Sequence, residues 1–373
     1  MFNKVKKVGI TGQNGFVGKH LHNYLGLLED VQLIEFRRDY FEKTDALASF
    51  VKECDVIIHL AAMNRHENHQ VIYETNLGLV KRLIEACEAS NATPWIFISS
   101  STQERNDNLY GNSKKEGRKL LEAWAAKSGG KTTGMVIPNV FGPFGKPFYN
   151  SVTATFCYQI ARGEEPAIIN DGLVKLIYVN DLIEAIYNLI KEGTTGKVDI
   201  PHHHEILVSE LSDKLKMFYH QYFEKGEFPA ITDKTDLALF NTFRCYIPHD
   251  YYPRRLVKHV DDRGAFVEIV RANSRGQFSF STTVPGITRG NHFHTRKAER
   301  FAVIKGKAKI DLRKIDTDEV ISYNLDGDNP SYVDMPIWHT HNIKNTGDTE
   351  LVTLFWINEP YNADDPDTYF INV

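Results

Sequence analysis

The sequence predicts an α/β fold, a doubly wound parallel sheet, over residues 1–250, followed by an all-β domain over residues 251–373. Two observations predict the first fold: a glycine-rich turn joins an apolar strand to a helix, and strands then alternate with helices. The second fold is predicted by short runs of Val, Ile, Phe and Thr that Gly and Pro turns interrupt after residue 256, a pattern typical of a sandwich or small barrel. Pro248 and the Asp250-Tyr-Tyr-Pro253 turn indicate the boundary.

The composition favours a globular protein that binds small ligands. The net charge is -4, and the basic residues form no run, so nucleic acid and anionic membranes are poor partners. The four cysteines are widely separated and form no Cys-x-x-Cys pair, which predicts reduced thiols and a cytoplasmic location. No apolar run has the length of a membrane span. A homodimer is the ordinary expectation for the oligomeric state.

The glycine-rich turn lies between Val8 and Leu21 and predicts a dinucleotide site of the Rossmann type. Gly12 lets the chain turn sharply after the strand, Gly15 lets the backbone approach a pyrophosphate, and Gly18 lets the new helix pack on the sheet. A plain turn seldom needs three glycines at this spacing. The cofactor residues expected from this turn are Gly12, Gly15, Phe16, Val17 and Gly18.

The end of the second predicted strand, residues 31–36, indicates which dinucleotide binds, because the adenosine ribose lies there in such folds. Arg37 and Arg38 suit the 2′-phosphate of NADP, whereas an acidic residue would bind the 2′-hydroxyl of NAD. Glu35 and Asp39 keep NAD open, and the stretch could also be a solvated charged loop. We expect NADPH.

A tyrosine and a lysine follow the fourth predicted strand at a spacing that suits proton transfer. Tyr110 and Lys114 share one helix face, so the Lys114 ammonium can stabilise a tyrosinate while the Ser101 hydroxyl holds a substrate oxygen. Tyr187 and Lys191 have the same spacing, but no serine-tipped strand precedes their helix. We therefore interpret the second pair as structural.

The chain resembles the extended short-chain dehydrogenase/reductases that act on nucleotide sugars in five motifs that stand in the same order: Thr11-Gly-x-x-Gly-x-x-Gly18, Asp55, the serines up to Ser101, Tyr110-x-x-x-Lys114 and Asn139-Val-Phe-Gly-Pro143. The resemblance implies that Tyr110 is the catalytic acid/base and that Lys114 and Ser101 assist it. It also implies two residues of the substrate site, Asn76 as a positioning residue in the sheet-facing helix and Asn139 as a contact to the sugar nucleotide.

The same resemblance adds three cofactor residues from the third predicted strand, residues 55–62: Asp55, Leu60 and Ala61. Two departures from the family pattern concern the active site. The connection from Ser101 to Tyr110 is shorter than usual, and Val136 stands three residues before Asn139, where an arginine is common. The rim of the active site is therefore expected to differ from that of the family.

The all-β region contains side chains spaced for a metal site. On a strand, His292 and His294 point to one face, and Glu299 with His341 could complete a site for a divalent metal such as zinc. The stretches around His292 and His341 resemble the two cupin motifs, which implies a jelly-roll barrel. The second stretch departs from its motif, with Trp338 where glycine is usual. A histidine-lined barrel without metal is the alternative.

A further resemblance concerns the chemistry of this barrel. The stretches that contain Arg263, Phe266 and Arg289-Gly-Asn-His292 are similar to motifs of the dTDP-4-keto-6-deoxyhexose 3,5-epimerases. The resemblance implies that His292 is the base and that Arg263 and Phe266 hold a nucleotide diphosphate, with Arg289 in the same substrate site. His292 therefore has two expected roles, as a metal ligand or as a proton carrier.

The fusion of a reductase with a cupin resembles, over the whole chain, the bifunctional enzymes of capsular polysaccharide synthesis. This resemblance implies C3 epimerisation in the barrel and NADPH-dependent C4 reduction of a UDP-linked 2-acetamido-2,6-dideoxy-4-hexulose to a 6-deoxy-talose-type sugar. One alternative is a nucleotide-sugar 4-epimerase or dehydratase that retains NAD and whose cupin only binds sugar. Another is a non-catalytic redox or ligand sensor, against which the intact Ser101, Tyr110 and Lys114 argue.

Overall fold

The computed structural model describes residues 5–261, 264–267, 269–270, 276–359 and 362–373. For 258–261 and 264–267 it describes the backbone alone. The chain divides into two compact units, of which the first comprises Met1–Thr155 and Asn170–Val208, and the second Phe156–Ile169 and Ser209–Val373. The domain boundary at residue 250 is an expectation about independent domains, and it stays a prediction.

The strands of the first unit are β1 (Lys6–Thr11), β2 (Val31–Ile34), β3 (Val56–His59), β4 (Trp95–Ser101), β5 (Thr132–Ile137), β6 (Asn139–Phe141), β7 (Leu173–Tyr178), β8 (Gly196–Asp199) and β9 (His204–Leu207). Six of them form a parallel sheet in the order β2-β1-β3-β4-β5-β8. The order reverses between β1 and β3, and ligands of such sheets bind in the crevice beyond the carboxyl ends of these strands. The strands β6, β7 and β9 form a separate small sheet.

Helices follow the strands because a parallel sheet buries both faces. The helices of the chain are α1 (Phe16–Leu25), α2 (Thr44–Glu53), α3 (His69–Ser90), α4 (Leu109–Ser128), α5 (Val152–Ile160), α6 (Val179–Glu192), α7 (Val208–Phe218) and α8 (Lys234–Arg244). Side chains of α2, α3 and α4 form a continuous apolar core with β3 and β4. Within the described residues, no helix is long and apolar enough to span a bilayer.

The strands of the second unit are β10 (Arg254–Arg255), β11 (Lys258–Asp261), β12 (Gly264–Val267), β13 (Gln277–Thr283), β14 (Thr288–Phe293), β15 (Glu299–Lys305), β16 (Lys307–Lys314), β17 (Val320–Asp326), β18 (Ser331–Met335), β19 (His339–Asn345), β20 (Leu351–Ile357) and β21 (Tyr369–Phe370). Two five-stranded antiparallel sheets dominate, in the orders β10-β18-β15-β20-β13 and β17-β16-β19-β14-β21. We refer to these two sheets as the barrel. The parallel sheet followed by antiparallel sheets confirms the predicted fold class.

A buried ion pair joins the barrel to the segment that precedes it. Arg300 on β15 donates to both carboxylate oxygens of Asp334 on β18, at 2.8 and 3.1 Å, and both residues are almost fully buried. Tyr222, which follows α7, donates a hydrogen bond to the same carboxylate. Because a buried charge is costly unless it is paired, these contacts bind residues after Ser209 to the barrel, in agreement with the extent of the second unit.

Candidate active sites

The glycine turn has the backbone that a dinucleotide loop requires. Gly12 has a φ of +79°, and a Cβ there would lie 2.7 Å from the Ala61 nitrogen. A Cβ on Gly18 would lie 2.2 Å from the Gly12 oxygen, so only glycine allows α1 to start this close to β1. Gly15 is the N-cap of α1 and has no side chain to cover its N–H groups. The turn therefore presents free backbone donors to an anion.

A cavity of about 980 Å³ lies at this turn, beyond the carboxyl ends of the strands. It has the size of a ligand site, and its lining includes the three expected catalytic residues Ser101, Tyr110 and Lys114. The other expected residues that line it are Gly12, Gly15, Phe16, Val17, Gly18, Arg38, Leu60, Ala61 and Asn139. One cavity thus brings together residues from six different parts of the first unit.

The two arginines after β2 have different surroundings. Arg38 lines the cavity together with Phe36, whereas Arg37 is outside its lining and pairs with Asp39 at 3.6 Å with an exposed side chain. Asp55 is also outside the lining. It precedes β3, at the amino end of the sheet, and its carboxylate accepts a hydrogen bond from the Lys7 N–H at 2.9 Å. The cofactor role assigned to Asp55 therefore has no support in its position.

Tyr110 and Lys114 lie on the first turns of α4. The Lys114 Nζ is 5.8 Å from the centre of the Tyr110 ring and donates to the Ser99 carbonyl at 3.2 Å. Burial lowers the pKa of Lys114 to about 8 and, with Tyr149 nearby, raises the pKa of Tyr110 to about 12. With its pKa raised, Tyr110 carries its proton at neutral pH, which is the state needed to protonate an alkoxide.

A single 3-10 turn accounts for the short connection between Ser101 and Tyr110. The Ser101 hydroxyl accepts a hydrogen bond from the Gln103 N–H at 3.2 Å and caps this turn. A Cβ on Gly111 would lie 2.1 Å from the Gln103 carbonyl oxygen, so the turn packs directly against α4. Glu104 anchors it from below, since its buried carboxylate accepts from the Ser100 hydroxyl at 2.7 Å and pairs with Arg118.

Asn76 supports the cavity wall and does not line it. Its amide oxygen accepts from the Met63 N–H at 2.7 Å, and its amide nitrogen donates to the Met63 carbonyl and to Ser113. These bonds hold the loop after β3 against α4. Asn76 therefore has the contacts of a positioning residue, which is the role that the resemblance implied, and its place in the substrate site stays a prediction. The second pair, Tyr187 and Lys191, is likewise remote from the cavity lining, and the Tyr187 hydroxyl donates to Asp30.

In the second unit, four expected ligands meet at one point of the barrel. The donor atoms of His292, His294, Glu299 and His341 all lie within 4.8 Å of one another. His292 on β14 stands directly opposite His341 on β19, and Glu299 begins β15. The Oε2 of Glu299 lies 3.0 Å from the Nε2 of His294 and 3.5 Å from that of His341. These three buried atoms have no polar partner outside the cluster among the described residues.

The charges of this cluster compensate one another. Burial alone would raise the pKa of Glu299, but the neighbouring imidazoles outweigh burial and lower the pKa to about 2. Burial lowers the pKa of His292, and it lowers that of His341 to about 3. Burial lowers the pKa of His294, but the Glu299 carboxylate outweighs burial and raises this pKa. A divalent cation would take the place of the His294 proton, because metals bind carboxylates and neutral imidazoles, and three buried polar atoms that face only one another fit such a cation.

The C-terminal segment orients one of the four ligands. The Nδ1 of His294 hydrogen-bonds the carbonyl of Asp367, which turns Nε2 towards the cluster. The Asp367 carboxylate accepts from the backbone N–H groups of Thr295, Arg296 and Lys297. Supporting hydrogen bonds of this kind are typical of metal-ligating histidines.

Trp338 occupies a position that explains why glycine is usual there. Its φ is +57°, a left-handed conformation that favours glycine. Its indole is 2% exposed and stacks on Phe293 at 5.4 Å, so burial of the ring offsets the backbone strain, which is about 1 kcal/mol.

Three further residues of the barrel were expected to hold substrate. Arg289 is exposed on β14, and its Nη1 donates to the Thr282 carbonyl at 3.0 Å. Phe266 belongs to β12, of which the backbone alone is described. Arg263 lies outside the described residues.

The whole chain has known relatives. Residues 8–201, just over half of the chain, match the model of the NAD dependent epimerase/dehydratase family. The chain belongs to this family. Residues 259–369 match the polysaccharide biosynthesis C-terminal domain. The two matched regions correspond to the sheet with the glycine turn and to the barrel.

Family members with both regions align along the full length. The chain is 33% identical to a UDP-2-acetamido-2,6-beta-L-arabino-hexul-4-ose reductase of Pseudomonas aeruginosa, over 98% of this chain and 99% of that protein. It is 36% identical to the crystal structure of the capsular polysaccharide assembling protein CapF from Staphylococcus aureus, with a TM-score of 0.63, over 98% of this chain and 100% of that one. These likenesses confirm the resemblance to enzymes of capsular polysaccharide synthesis.

The chain also has a shorter relative. A spore coat polysaccharide biosynthesis protein, SpsL of Bacillus subtilis, is 31% identical over 124 residues, which are 31% of this chain and 82% of that protein.

Several residues that line the cavity of the first unit, or that support the histidine cluster of the second, could not be predicted from the sequence. Arg65, Tyr149 and Asn150 line it, although they belong to loops that are distant along the chain. The C-terminal stretch that contains Asp367 gave no indication that this residue contacts His294. Only the fold brings these residues to the sites.

Proposed function

We propose that this chain is a bifunctional nucleotide-sugar enzyme of capsular or surface polysaccharide synthesis. Its barrel epimerises C3, and its first unit reduces C4 with NADPH, of a UDP-2-acetamido-2,6-dideoxy-hexos-4-ulose. The product is a UDP-linked 6-deoxy-L-talose-type amino sugar, on the route to UDP-N-acetyl-L-fucosamine. The observation that carries the proposal is the full-length likeness to the Pseudomonas reductase, combined with a proton-transfer pair in one unit and a histidine cluster in the other.

In the reduction, the chain supplies the proton and the orientation. Bound NADPH would supply the hydride for C4. The Tyr110 hydroxyl, protonated because burial raises its pKa to about 12, donates its proton to O4, so that the ketone becomes an alcohol. Ser101 holds O4, and the Lys114 ammonium stabilises the tyrosinate until solvent returns a proton. The position of Arg38 in the cavity supports NADPH over NADH.

In the epimerisation, the C4 ketone makes the C3 proton acidic. A neutral His292 imidazole accepts that proton, which leaves an enolate, and a proton is then returned from the opposite face of the sugar. The lowered pKa of His292 supports the neutral form. The bonds broken and formed are C–H bonds at the same carbon, so no oxidant or cofactor is consumed.

The cluster would hold a divalent metal, zinc being our proposal, through His292, His294, Glu299 and His341. A bound metal would supply a Lewis acid near the substrate and tie three strands together. If His292 serves as a ligand throughout catalysis, the proton carrier is another group. The four cysteines, which are free thiols, support a cytoplasmic protein. We keep the homodimer as a proposal from the sequence.

The test is to identify the product made from the UDP-4-keto sugar and NADPH. We expect NADPH oxidation equal to the sugar converted, a product two mass units heavier than the ketone, and NMR couplings of the inverted C3 centre. Conversion without net NADPH oxidation would contradict the proposal and favour the 4-epimerase that retains its cofactor. Reduction without inversion at C3 would leave the barrel as a sugar-binding module.

A further inference from the structure

The cavity of the first unit carries charges of one sign. Among its lining residues, Arg38, Arg65 and Lys114 are cationic, and none is an aspartate or glutamate. A cavity of about 980 Å³ without a carboxylate suits ligands with several negative charges, because each added acid would repel a phosphate. The proposed function requires two such ligands, a phosphorylated dinucleotide and a nucleotide diphosphate sugar.

The two arginines lie near different parts of the cavity lining. Arg38 follows β2, the edge strand, and its neighbour Phe36 accepts a hydrogen bond from Gln13 of the glycine turn at 2.8 Å. Arg65 follows β3 and instead contacts the segment after β6, the strand that begins with Asn139. The first arginine therefore belongs with the dinucleotide turn, and the second with the residues expected at the sugar nucleotide.

Arg65 forms a bridge between two loops of the cavity. Its Nη1 donates to the carbonyls of Phe148 and Tyr149, at 2.7 and 3.1 Å. The Asn150 amide donates to the Asn64 carbonyl at 3.3 Å, which adds a second link between the same loops. Four of these five residues line the cavity. The loops are therefore held together at its wall and not merely adjacent.

The bridge leaves most of the Arg65 guanidinium available. An arginine has five N–H donors, and the two carbonyl bonds both use Nη1, so the donors on Nε and Nη2 have no partner among the described residues. The fork formed by Nε and Nη2 matches the oxygens of a phosphate. Phe148 has a φ of +56°, and such strain at a non-glycine residue is typical of functional loops.

We propose that Arg65 binds the diphosphate of the sugar nucleotide and holds Tyr149 and Asn150 at the substrate end of the cavity. This inference rests on the proposed function for the identity of the sugar. It assigns Arg38 to the cofactor and Arg65 to the substrate, so the two cations act on different ligands. The ligand chemistry that Arg65 recognises is a nucleoside diphosphate.

The experiment compares two substitutions at Arg65 in the full-length protein. Arg65→Gln keeps a donor for the loop carbonyls and removes the charge, whereas Arg65→Lys keeps the charge. We expect Arg65→Gln to raise the Kd of UDP, measured by calorimetry, about tenfold or more, and Arg65→Lys to raise it less. The Kd of NADPH should stay within about twofold of wild type in both variants, since no part of the glycine turn changes.

Lys146→Gln is the matched control. Lys146 belongs to the same segment and packs on the Tyr149 ring at 5.3 Å, but it does not line the cavity. The substitution Lys146→Gln therefore removes one positive charge near the cavity and should leave the Kd of UDP unchanged. An equal loss of UDP binding in Lys146→Gln would show a general charge effect and overturn the inference.

Two other outcomes would also overturn it. One is an unchanged Kd of UDP in Arg65→Gln, and the other is a loss of NADPH binding that equals or exceeds the loss of UDP binding. Steady-state kinetics provides the second readout, in which Arg65→Gln should raise KM for the sugar and change kcat little. Because UDP binding is measured without turnover, it tests Arg65 even if the wild-type protein fails to reduce the proposed ketone, a result that would instead overturn the proposed function.

Discussion

The two sites of this protein differ in size and in the charges of the side chains that form them. The cavity of the first unit is large, lined by cations and backbone donors, and has no carboxylate in its lining. The cluster of the second unit is compact, and one carboxylate faces three imidazoles within 4.8 Å. Under the proposed function, large anionic ligands complete the first site and a divalent cation completes the second.

This difference decides where each site obtains its reactivity. In the cavity, burial shifts the pKa of Lys114 down to about 8 and that of Tyr110 up to about 12, and a ligand would then reset both. In the cluster, the pKa of Glu299 is already about 2 because the histidines outweigh burial. The opposite charges of the cluster attract one another, so we expect the cluster to retain its geometry without a ligand. The cavity should retain its geometry less well, because its cationic side chains repel one another.

The sharpest test of this comparison separates the two chemistries in the full-length protein. Tyr110→Phe should lower the rate of reduction about 100-fold or more, because the proton donor for O4 is lost while binding persists. It should leave exchange of the C3 proton for deuterium in heavy water intact. His292→Ala should show the reverse pattern. The measurements are NADPH oxidation by absorbance and C3 exchange by NMR.

Tyr187→Phe serves as the control for Tyr110→Phe, because it removes the hydroxyl of the other Tyr-x-x-x-Lys pair. It should reduce the ketone at the wild-type rate. If C3 exchange depended on Tyr110 and not on His292, the two sites would not be independent, and the barrel would be a binding module.

The second test concerns the metal that we propose for the cluster. Protein purified without chelator should contain about one zinc per chain by elemental analysis. Removing the metal should lower Tm, because binding to the folded state alone adds about 4 kcal/mol at a free concentration of about 1,000 times Kd. Glu299→Gln should reduce the zinc content. A metal-free protein with the same Tm and activity would favour the histidine-lined barrel without metal.

The third test uses the cost of the buried ammonium. Lys114 has a pKa of about 8 in the folded protein and about 10.4 when unfolded, so below pH 8 the folded state bears the cost of a buried charge. Lys114→Met should therefore be more stable than wild type at pH 7, by up to about 3 kcal/mol. This advantage should shrink as pH rises from about 8 to about 10.4, where the folded wild type alone has lost the proton.

Chemical denaturation of the cofactor-free protein across this pH range measures the effect. The same substitution should lower the reduction rate, so that stability and activity move in opposite directions. A variant that is less stable than wild type at pH 7 would show that the ammonium contributes more through its bonds to Ser99 than it costs by burial.

The smallest expected effect distinguishes the two adjacent arginines. Arg38→Ala should narrow the preference for NADPH over NADH about tenfold, because Arg38 lines the cavity. Arg37→Ala should change it little, since Arg37 pairs with Asp39 outside the cavity lining. The ratio of kcat/KM for the two cofactors measures this. Equal effects in both variants would mean that the 2′-phosphate is held by the charge of the loop as a whole.

The sequence predicts well the site residues that belong to a recognisable motif. It predicts poorly the residues that only the fold brings next to those motifs. The glycine turn, the Tyr110 pair and the four barrel ligands follow local spacing rules, and the structure brings each set together. Asp55 was assigned to the cofactor site by motif order. It precedes β3, whereas the cavity lies beyond the carboxyl end of that strand. Asn76 was expected to be a positioning residue, but only the fold shows which groups its amide holds, namely Met63 and Ser113.

Other features depend on contacts between segments that are distant along the chain. Arg65 reaches residues 148 and 149, and Asp367 reaches His294, and neither pairing has a periodic pattern. The segment after Ser209 looks like part of the first fold because it is helical, but Tyr222 in this segment donates a hydrogen bond to Asp334, the buried ion-pair partner of Arg300 in the barrel. Helical periodicity indicates which face is apolar, and it does not indicate what covers that face.

The contact between Gly111 and the Gln103 carbonyl makes the active-site geometry depend on a residue without a side chain. With a Cβ only 2.1 Å from that oxygen, any side chain at position 111 would push the 3-10 turn away from α4 and shift Ser101 relative to Tyr110. A substitution of Gly111 should therefore separate the two expected catalytic hydroxyls although it alters neither of them, so the absence of one methyl group sets their spacing.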